Sequence, residues 1–325
     1  MIDMTMIEAV NHAIAYEMGV DQDVVILGED VGVNGGVFRA TDGLQKKFGE
    51  NRVIDTPLAE SLICGMAIGL AVQGIKPIAE IQFMGFIYAA FDQFLCHASR
   101  MRNRTRGRLS CPMVLRAPYG GGIHAPEHHS ESTEAIFSHV PGIRVVIPSS
   151  PGRAYGLLLA AIRDPDPVVF LEPKRIYRLQ TEAVEDKGEA LPLDVCFTLR
   201  EGSDVTLVSW GAMLYETLKA ADDLAERGIS TEVIDLATIK PIDKETILES
   251  IEKTGRCVIV HEAAKTGGVG AEIAALIAEE GLTSLMAPIK RVTGYDTIMP
   301  LLKMEEYYMP NVKQIIDAVN TVMEY

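Results

Sequence analysis

Glu60 stands in a stretch that is otherwise apolar and rich in glycine. It runs Asp55-Thr56-Pro57-Leu58-Ala59-Glu60-Ser61-Leu62-Ile63-Cys64-Gly65-Met66-Ala67-Ile68-Gly69-Leu70-Ala71-Val72, and no further charge follows Glu60 until Lys76. A carboxylate beside that much apolar surface is expected to be shielded from water. Shielding raises its pKa and suits it to hold or pass a proton. Gly65 and Gly69 are four apart, so on a helix they share one face and admit another backbone closely. The plainer reading is a buried helix with an acid near its N-terminus, where the dipole favours negative charge.

The loop Tyr119-Gly120-Gly121-Gly122-Ile123-His124-Ala125-Pro126-Glu127-His128-His129-Ser130 holds three of the seven histidines. His124, Glu127 and His128 match the HxxEH spacing of some zinc peptidases. That chemistry needs both histidines on one helix face, and Pro126 with three preceding glycines opposes a helix. An active-site loop whose histidines move protons or bind substrate fits better. A surface turn with incidental histidines is the alternative. Gly32-Val33-Asn34-Gly35-Gly36 and Gly267-Gly268-Val269-Gly270 lack the spacing of a nucleotide fingerprint and read as turns. Arg100, Arg102, Arg104, Arg106 and Arg108 suit a helix C-terminus or a subunit contact.

The elements that must position these residues alternate. Strands are expected at Val24–Leu27, Arg52–Asp55, Ile78–Phe83, Met113–Arg116, Arg144–Ile147 and Val168–Leu171. Helices are expected between them at Leu58–Gln73, Phe86–Arg102, Glu131–His139 and Pro151–Arg163. Thr5 and Glu8 form a capping box that starts a helix through about Met18. After a mixed, polar stretch from Pro173 to Ser203 the alternation resumes. Its strands are Val205–Trp210, Thr231–Leu236, Cys257–His261 and Ile289–Val292; its helices are Met213–Arg227, Lys244–Lys253, Gly270–Glu280 and Val312–Met323. Apolar strands separated by helices imply two α/β domains with mostly parallel sheets. The expected division is a domain at 1–185, a linker at 186–203 and a second domain at 204–325.

At 325 residues, 48% hydrophobic and 23% charged, the chain reads as globular. Its net charge of −15 (30 basic minus 45 acidic) argues against a general nucleic-acid or anionic-membrane surface. Cys64, Cys96, Cys111, Cys196 and Cys257 are odd in number and form no CxxC pair, which fits a reducing, cytoplasmic setting. The N-terminus carries no basic and apolar leader pattern. The apolar run Ser61–Ile75 is too short to span a bilayer comfortably.

Seven segments, in order, then carry a resemblance. They are Gly28-Glu29-Asp30-Val31, Gly35-Gly36-Val37-Phe38-Arg39, Thr56-Pro57-Leu58-Ala59-Glu60, Ala79-Glu80-Ile81-Gln82-Phe83, His129-Ser130, Pro141-Gly142-Ile143 with Val145-Val146-Ile147-Pro148, and His261-Glu262-Ala263. Over nearly its whole length the chain resembles the beta subunit of the thiamine-diphosphate-dependent decarboxylase component of 2-oxoacid dehydrogenase complexes. The resemblance implies a transketolase-like architecture, with a pyrimidine-binding domain followed by the family's C-terminal domain. It implies an α2β2 heterotetramer with thiamine diphosphate at the α/β interface. Diphosphate and magnesium would be held mainly by the alpha subunit; the family's Gly-Asp-Gly motif does not occur here.

By the same resemblance, Glu60 matches the glutamate that bonds N1′ of the aminopyrimidine. A proton shared there favours the imino tautomer, which deprotonates the thiazolium; the ylide attacks the 2-oxoacid and carbon dioxide leaves. Phe86 matches the aromatic position on the pyrimidine ring. His129 aligns with a histidine that assists substrate binding and acyl transfer to the lipoyl group. Glu29 and Gln82 match cofactor-side positions. A structural potassium ion is implied near Asp164 and the carbonyl of Ala161, with Asp166 where a relative has asparagine. Phe170–Lys174, Thr266-Gly267-Gly268 and Gly294-Tyr295-Asp296-Thr297 resemble branched-chain enzymes, whereas Gly120–His124 with Pro126-Glu127 resembles bacterial pyruvate enzymes. The balance favours branched-chain 2-oxoacids, with pyruvate and acetoin dehydrogenases as alternatives. The implied further partner is the dihydrolipoyl acyltransferase core, through its subunit-binding and lipoyl domains. A non-catalytic docking subunit is the rival of a different class.

Overall fold

The Glu8 carboxylate accepts hydrogen bonds from the Thr5 N–H at 2.8 Å and the Thr5 hydroxyl at 2.6 Å. The helix they open runs Met6–Val20 in the computed structural model, which describes residues 1–325. The chain has fourteen strands, ten of them where the alternation placed a strand. They are β1 (Ile2–Thr5), β2 (Val24–Gly28), β3 (Val53–Asp55), β4 (Lys76–Glu80), β5 (Val114–Tyr119), β6 (Arg144–Val146), β7 (Val168–Pro173), β8 (Thr181–Val184), β9 (Phe197–Arg200), β10 (Val205–Ser209), β11 (Thr231–Asp235), β12 (Thr238–Lys240), β13 (Cys257–Ala264) and β14 (Lys290–Gly294).

The first sheet has the order β12-β6-β7-β5-β4-β2-β3 and is parallel except for β12. The second has the order β14-β13-β10-β11-β9 and is parallel except for β9. Every residue of β2, β5, β7, β10 and β11 is buried, because helices cover both faces and leave no polar side to alternate with. The chain leaves β2 for β3 on one side and returns for β4 on the other. The loops after β2 and β4 therefore diverge and open a crevice at the carboxyl edge of the sheet.

The helix Glu60–Ala71 buries Ile63, Cys64, Ala67, Ile68 and Ala71. Burying the two isoleucines stabilises it by about 1.5–3 kcal/mol each. One core cluster joins Leu27, Leu115 and Leu171 of the first sheet to Val208 and Ile259 of the second, and to Trp210 just after β10. That shared apolar seam couples the two halves. All five cysteines are free, and Cys64, Cys111 and Cys257 are buried. No helix is long and apolar enough to cross a membrane.

Four expectations need correction. The stretch 186–203 is not wholly a connection, since β9 lies in it and pairs with β11. The segment Thr238–Lys240, expected in the second domain, returns to edge the first sheet as β12, antiparallel to β6. The strand expected over Ile78–Phe83 ends at Glu80, and Met84–Phe86 forms a tight turn. The helix expected over Phe86–Arg102 is broken: Tyr88–Cys96 is helical, His97 departs at φ −122° and ψ −63°, and Met101–Arg104 forms a separate turn.

Candidate active site

Five loops converge at the carboxyl edge of the first sheet, after β2, β3, β4, β5 and β7. Glu29 follows β2 and Gln82 follows β4, so they flank the crevice. The Gln82 side-chain amide lies 3.5 Å from both the Glu29 carbonyl and the Asp30 carboxylate. Burial pushes the Glu29 carboxyl up, and the charges of Asp30 and Glu60 push it further. Glu60 follows β3, the strand next to β2, at the same edge of the sheet.

Glu60 opens its helix and is half-buried, so the single chain does not seal it from water as the apolar stretch suggested. The apolar residues on either side face outward: Leu58 is 72% exposed and Leu62 48%.

Phe86 and His129 meet. Their rings are 5.4 Å apart, and the His129 ring stands edge-on to Phe83 at 4.2 Å. His129 lies in the turn Glu127–His129, packed among these aromatics, and its buried Nδ1 has no hydrogen-bond partner. Burial, then the charges of His128 and Lys174, lower its pKa, so the imidazole is neutral at pH 7. His124 faces Glu305 and the Leu302 carbonyl, whereas His128 packs on Phe86. The loop holding them is not a helix, and no three His, Cys, Asp or Glu side chains gather to hold a metal.

The residues expected near a potassium ion are already paired. Asp164 meets Arg144 at 3.2 Å, and Asp166 meets Arg102 at 2.7 Å. The Asp164 carboxylate also accepts the Asp166 N–H at 2.8 Å. The Ala161 carbonyl accepts the Asp164 N–H at 3.4 Å.

Sequence reasoning missed a buried charged network under the crevice. Arg116 of β5 donates two bonds of 2.7 Å to Glu172 of β7 and a third to Glu80 of β4. The Tyr177 hydroxyl donates to Glu172 at 2.5 Å. The available signal was a lone charge within each of two otherwise apolar strands, Arg116 in β5 and Glu172 in β7, and Glu80 at the end of β4. A second buried set lies where the sheets meet. Burial lifts Glu134 to about 7 and lowers Lys174 to about 8. His261, stacked on Trp210 at 5.1 Å, is pushed down to about 4 by burial and Arg291.

The motifs that suggested branched-chain substrates have structural work. Thr266 bonds Asp296 through its N–H at 2.8 Å and its hydroxyl at 2.6 Å, tying two surface loops together. Glu172 of the Phe170–Lys174 motif belongs to the Arg116 network.

Comparison with known proteins agrees with this architecture. Residues 3–180 match the family model "Transketolase, pyrimidine binding domain", and residues 196–315 match "Transketolase, C-terminal domain". The "Pyruvate dehydrogenase E1 component subunit beta" of Staphylococcus epidermidis is 49% identical over 325 residues, 100% of each chain. That of Bacillus subtilis is 48% identical over the same span, again 100% of each. That of Acholeplasma laidlawii is 51% identical over 312 residues, 96% of this chain and 95% of its own. A solved "Split gene transketolase, inactive beta4 tetramer" superposes with a TM-score of 0.82 at 24% identity, covering 99% of this chain and 98% of its own, and supports the fold alone.

Proposed function

The chain belongs to the family of beta subunits of the thiamine-diphosphate-dependent 2-oxoacid dehydrogenases, and from that membership we propose that it is the beta half of a pyruvate-decarboxylating component. The branched-chain expectation is withdrawn, because the full-length relatives are named for pyruvate and the motifs behind it fasten loops instead. The loop Gly120–His124, which resembles that of bacterial pyruvate enzymes, supports the same substrate.

The placement of Glu29, Glu60 and Gln82 after the neighbouring strands β2, β3 and β4, at one edge of the sheet, carries the reading. These residues and the unpartnered Nδ1 of His129 fit an aminopyrimidine cofactor, with polar groups beside an aromatic wall of Phe83 and Phe86. When bound, thiamine diphosphate supplies the carbon nucleophile and the electron sink for decarboxylation. Glu60 holds and passes the proton at the pyrimidine ring. Phe86 packs on that ring, and Glu29 and Gln82 bind from the cofactor side. Neutral His129 binds the 2-oxoacid and assists acyl transfer to a lipoyl group.

Exposed Leu58 and Leu62 beside a half-buried Glu60 describe an unfinished site. An alpha subunit in an α2β2 assembly completes it and holds the diphosphate and magnesium, while the acyltransferase core docks through its subunit-binding and lipoyl domains. The setting is cytoplasmic. The test is turnover of pyruvate against 3-methyl-2-oxobutanoate by this chain assembled with its alpha subunit, thiamine diphosphate and magnesium, using an artificial electron acceptor. Pyruvate is expected to be preferred. Preference for the branched acid overturns the substrate, and turnover of neither leaves the docking role.

A further inference from the structure

Two buried carboxylates from the C-terminal half grip the backbone of the histidine loop. Gly121 N–H donates to Glu262 Oε2 at 2.9 Å. Gly122 N–H donates to Glu305 Oε1 at 2.6 Å, and His124 N–H donates to Glu305 Oε2 at 2.8 Å. His124 Nδ1 lies 3.0 Å from that same oxygen. Glu262 belongs to β13 and Glu305 opens the short helix Glu305–Tyr308; they are 3% and 2% exposed. Bonds from amides to carboxylates are about twice as strong as neutral ones, and exclusion of water strengthens them further.

The far end of the loop is fixed as well, by Gly120 N–H donating to the Glu131 carbonyl at 2.9 Å. Between these anchors hangs the turn Glu127–His129. Gly122 sits at φ +86°, and a Cβ there would fall 2.1 Å from Arg175 Cδ. Arg175 is itself held by both oxygens of Glu216, at 2.8 and 2.6 Å. The path of the loop is thus constrained by Glu262 and Glu305 from across the seam and by Arg175 from its own side.

We propose that Glu305, assisted by Glu262, is a positioning residue that sets where His129 stands. This rests on the reading of the loop as part of a 2-oxoacid decarboxylase. Glu305 acts through the amides of Gly122 and His124. Glu305→Gln retains the shape but turns one acceptor into a donor facing an N–H. Glu305→Asp retains both acceptors on a shorter stem.

The experiment uses the assembled α2β2 protein and two readouts. Amide hydrogen exchange of the peptide spanning residues 119–130 reports the clamp without any turnover. Steady-state kinetics with pyruvate and a lipoyl-domain acceptor report the positioning. For Glu305→Gln, exchange is expected to quicken at least roughly tenfold, with kcat falling roughly ten- to a hundredfold and a smaller change in KM. Glu305→Asp is expected to recover part of both. Unchanged exchange overturns the clamp; faster exchange with unchanged kinetics overturns the positioning role. A wild-type assembly that turns over no 2-oxoacid overturns the functional reading instead, and the exchange result still decides the clamp.

Discussion

Arg116 and Glu172 face each other across adjacent strands, the guanidinium giving two parallel bonds of 2.7 Å to the two oxygens of one carboxylate. Glu80 receives a third bond from the same arginine, so one buried cation serves two buried acids. Burial pushes the Glu80 carboxyl up, and Glu172 adds to the push while Arg116 opposes it. The network ties together the strands whose ends carry Gln82, the histidine loop and Lys174.

Replacing Arg116 with Met would leave both acids buried without their cation, Glu172 keeping only the bond from the Tyr177 hydroxyl. The expected cost is about 3–5 kcal/mol, read as a lower denaturation midpoint of the assembled protein. Replacing Arg116, Glu80 and Glu172 together with apolar residues of similar volume should cost much less. A single substitution as harmless as the triple would contradict this account.

Glu134 gives a pH dependence of definite sign. Its folded-state pKa is raised by burial to about 7, from an ordinary value of 4.5. The folded chain therefore binds this proton more tightly than the unfolded one. The stability contributed is fully present below pH 4.5 and is lost as pH rises through 7. Glu134→Gln removes that dependence. Denaturation midpoints at pH 5 and pH 8 should show the variant gaining on the native protein at the higher pH.

His261 gives the opposite slope. Its folded-state pKa of about 4 lies below the ordinary 6.5, so its stabilising contribution is present above 6.5 and is lost as pH falls through 4. His261→Phe keeps a flat ring against Trp210 and should flatten the decline in denaturation midpoint between pH 6.5 and 4. An unchanged acid limb would show that His261 is not buried as described.

Gly85 lies under the histidine turn, and a Cβ there would fall 1.9 Å from the His128 carbonyl oxygen. Backbone cannot yield as a side chain can, so Gly85→Ala must displace the turn that carries His129. Turnover with a lipoyl acceptor is expected to fall roughly a hundredfold, with the assembly intact by sedimentation.

The alternating strands and helices were legible because each is a local pattern of apolar residues, and the Thr5–Glu8 cap was legible for the same reason. Strand β12 was not: three residues carry too little periodicity, and its partner β6 lies far back in the chain. Arg116, Glu80 and Glu172 were passed over because their pairing exists only once β4, β5 and β7 are neighbours. The apolar stretch around Glu60 was read as shielding, yet Leu58 and Leu62 turn outward, since local composition does not say which surface a partner covers. Family resemblance named Glu29, Gln82, Phe86 and His129, and the fold brings Glu29 to Gln82 and Phe86 to His129.

Glu60 is the residue on which the proposed chemistry depends, and Glu60→Gln tests it with the least change of shape. The measurement is decarboxylation of pyruvate by the α2β2 assembly carrying that substitution, with assembly size checked alongside. Turnover is expected to fall roughly 10²–10⁴-fold while the tetramer forms as before. A variant that assembles and keeps native turnover would contradict the account.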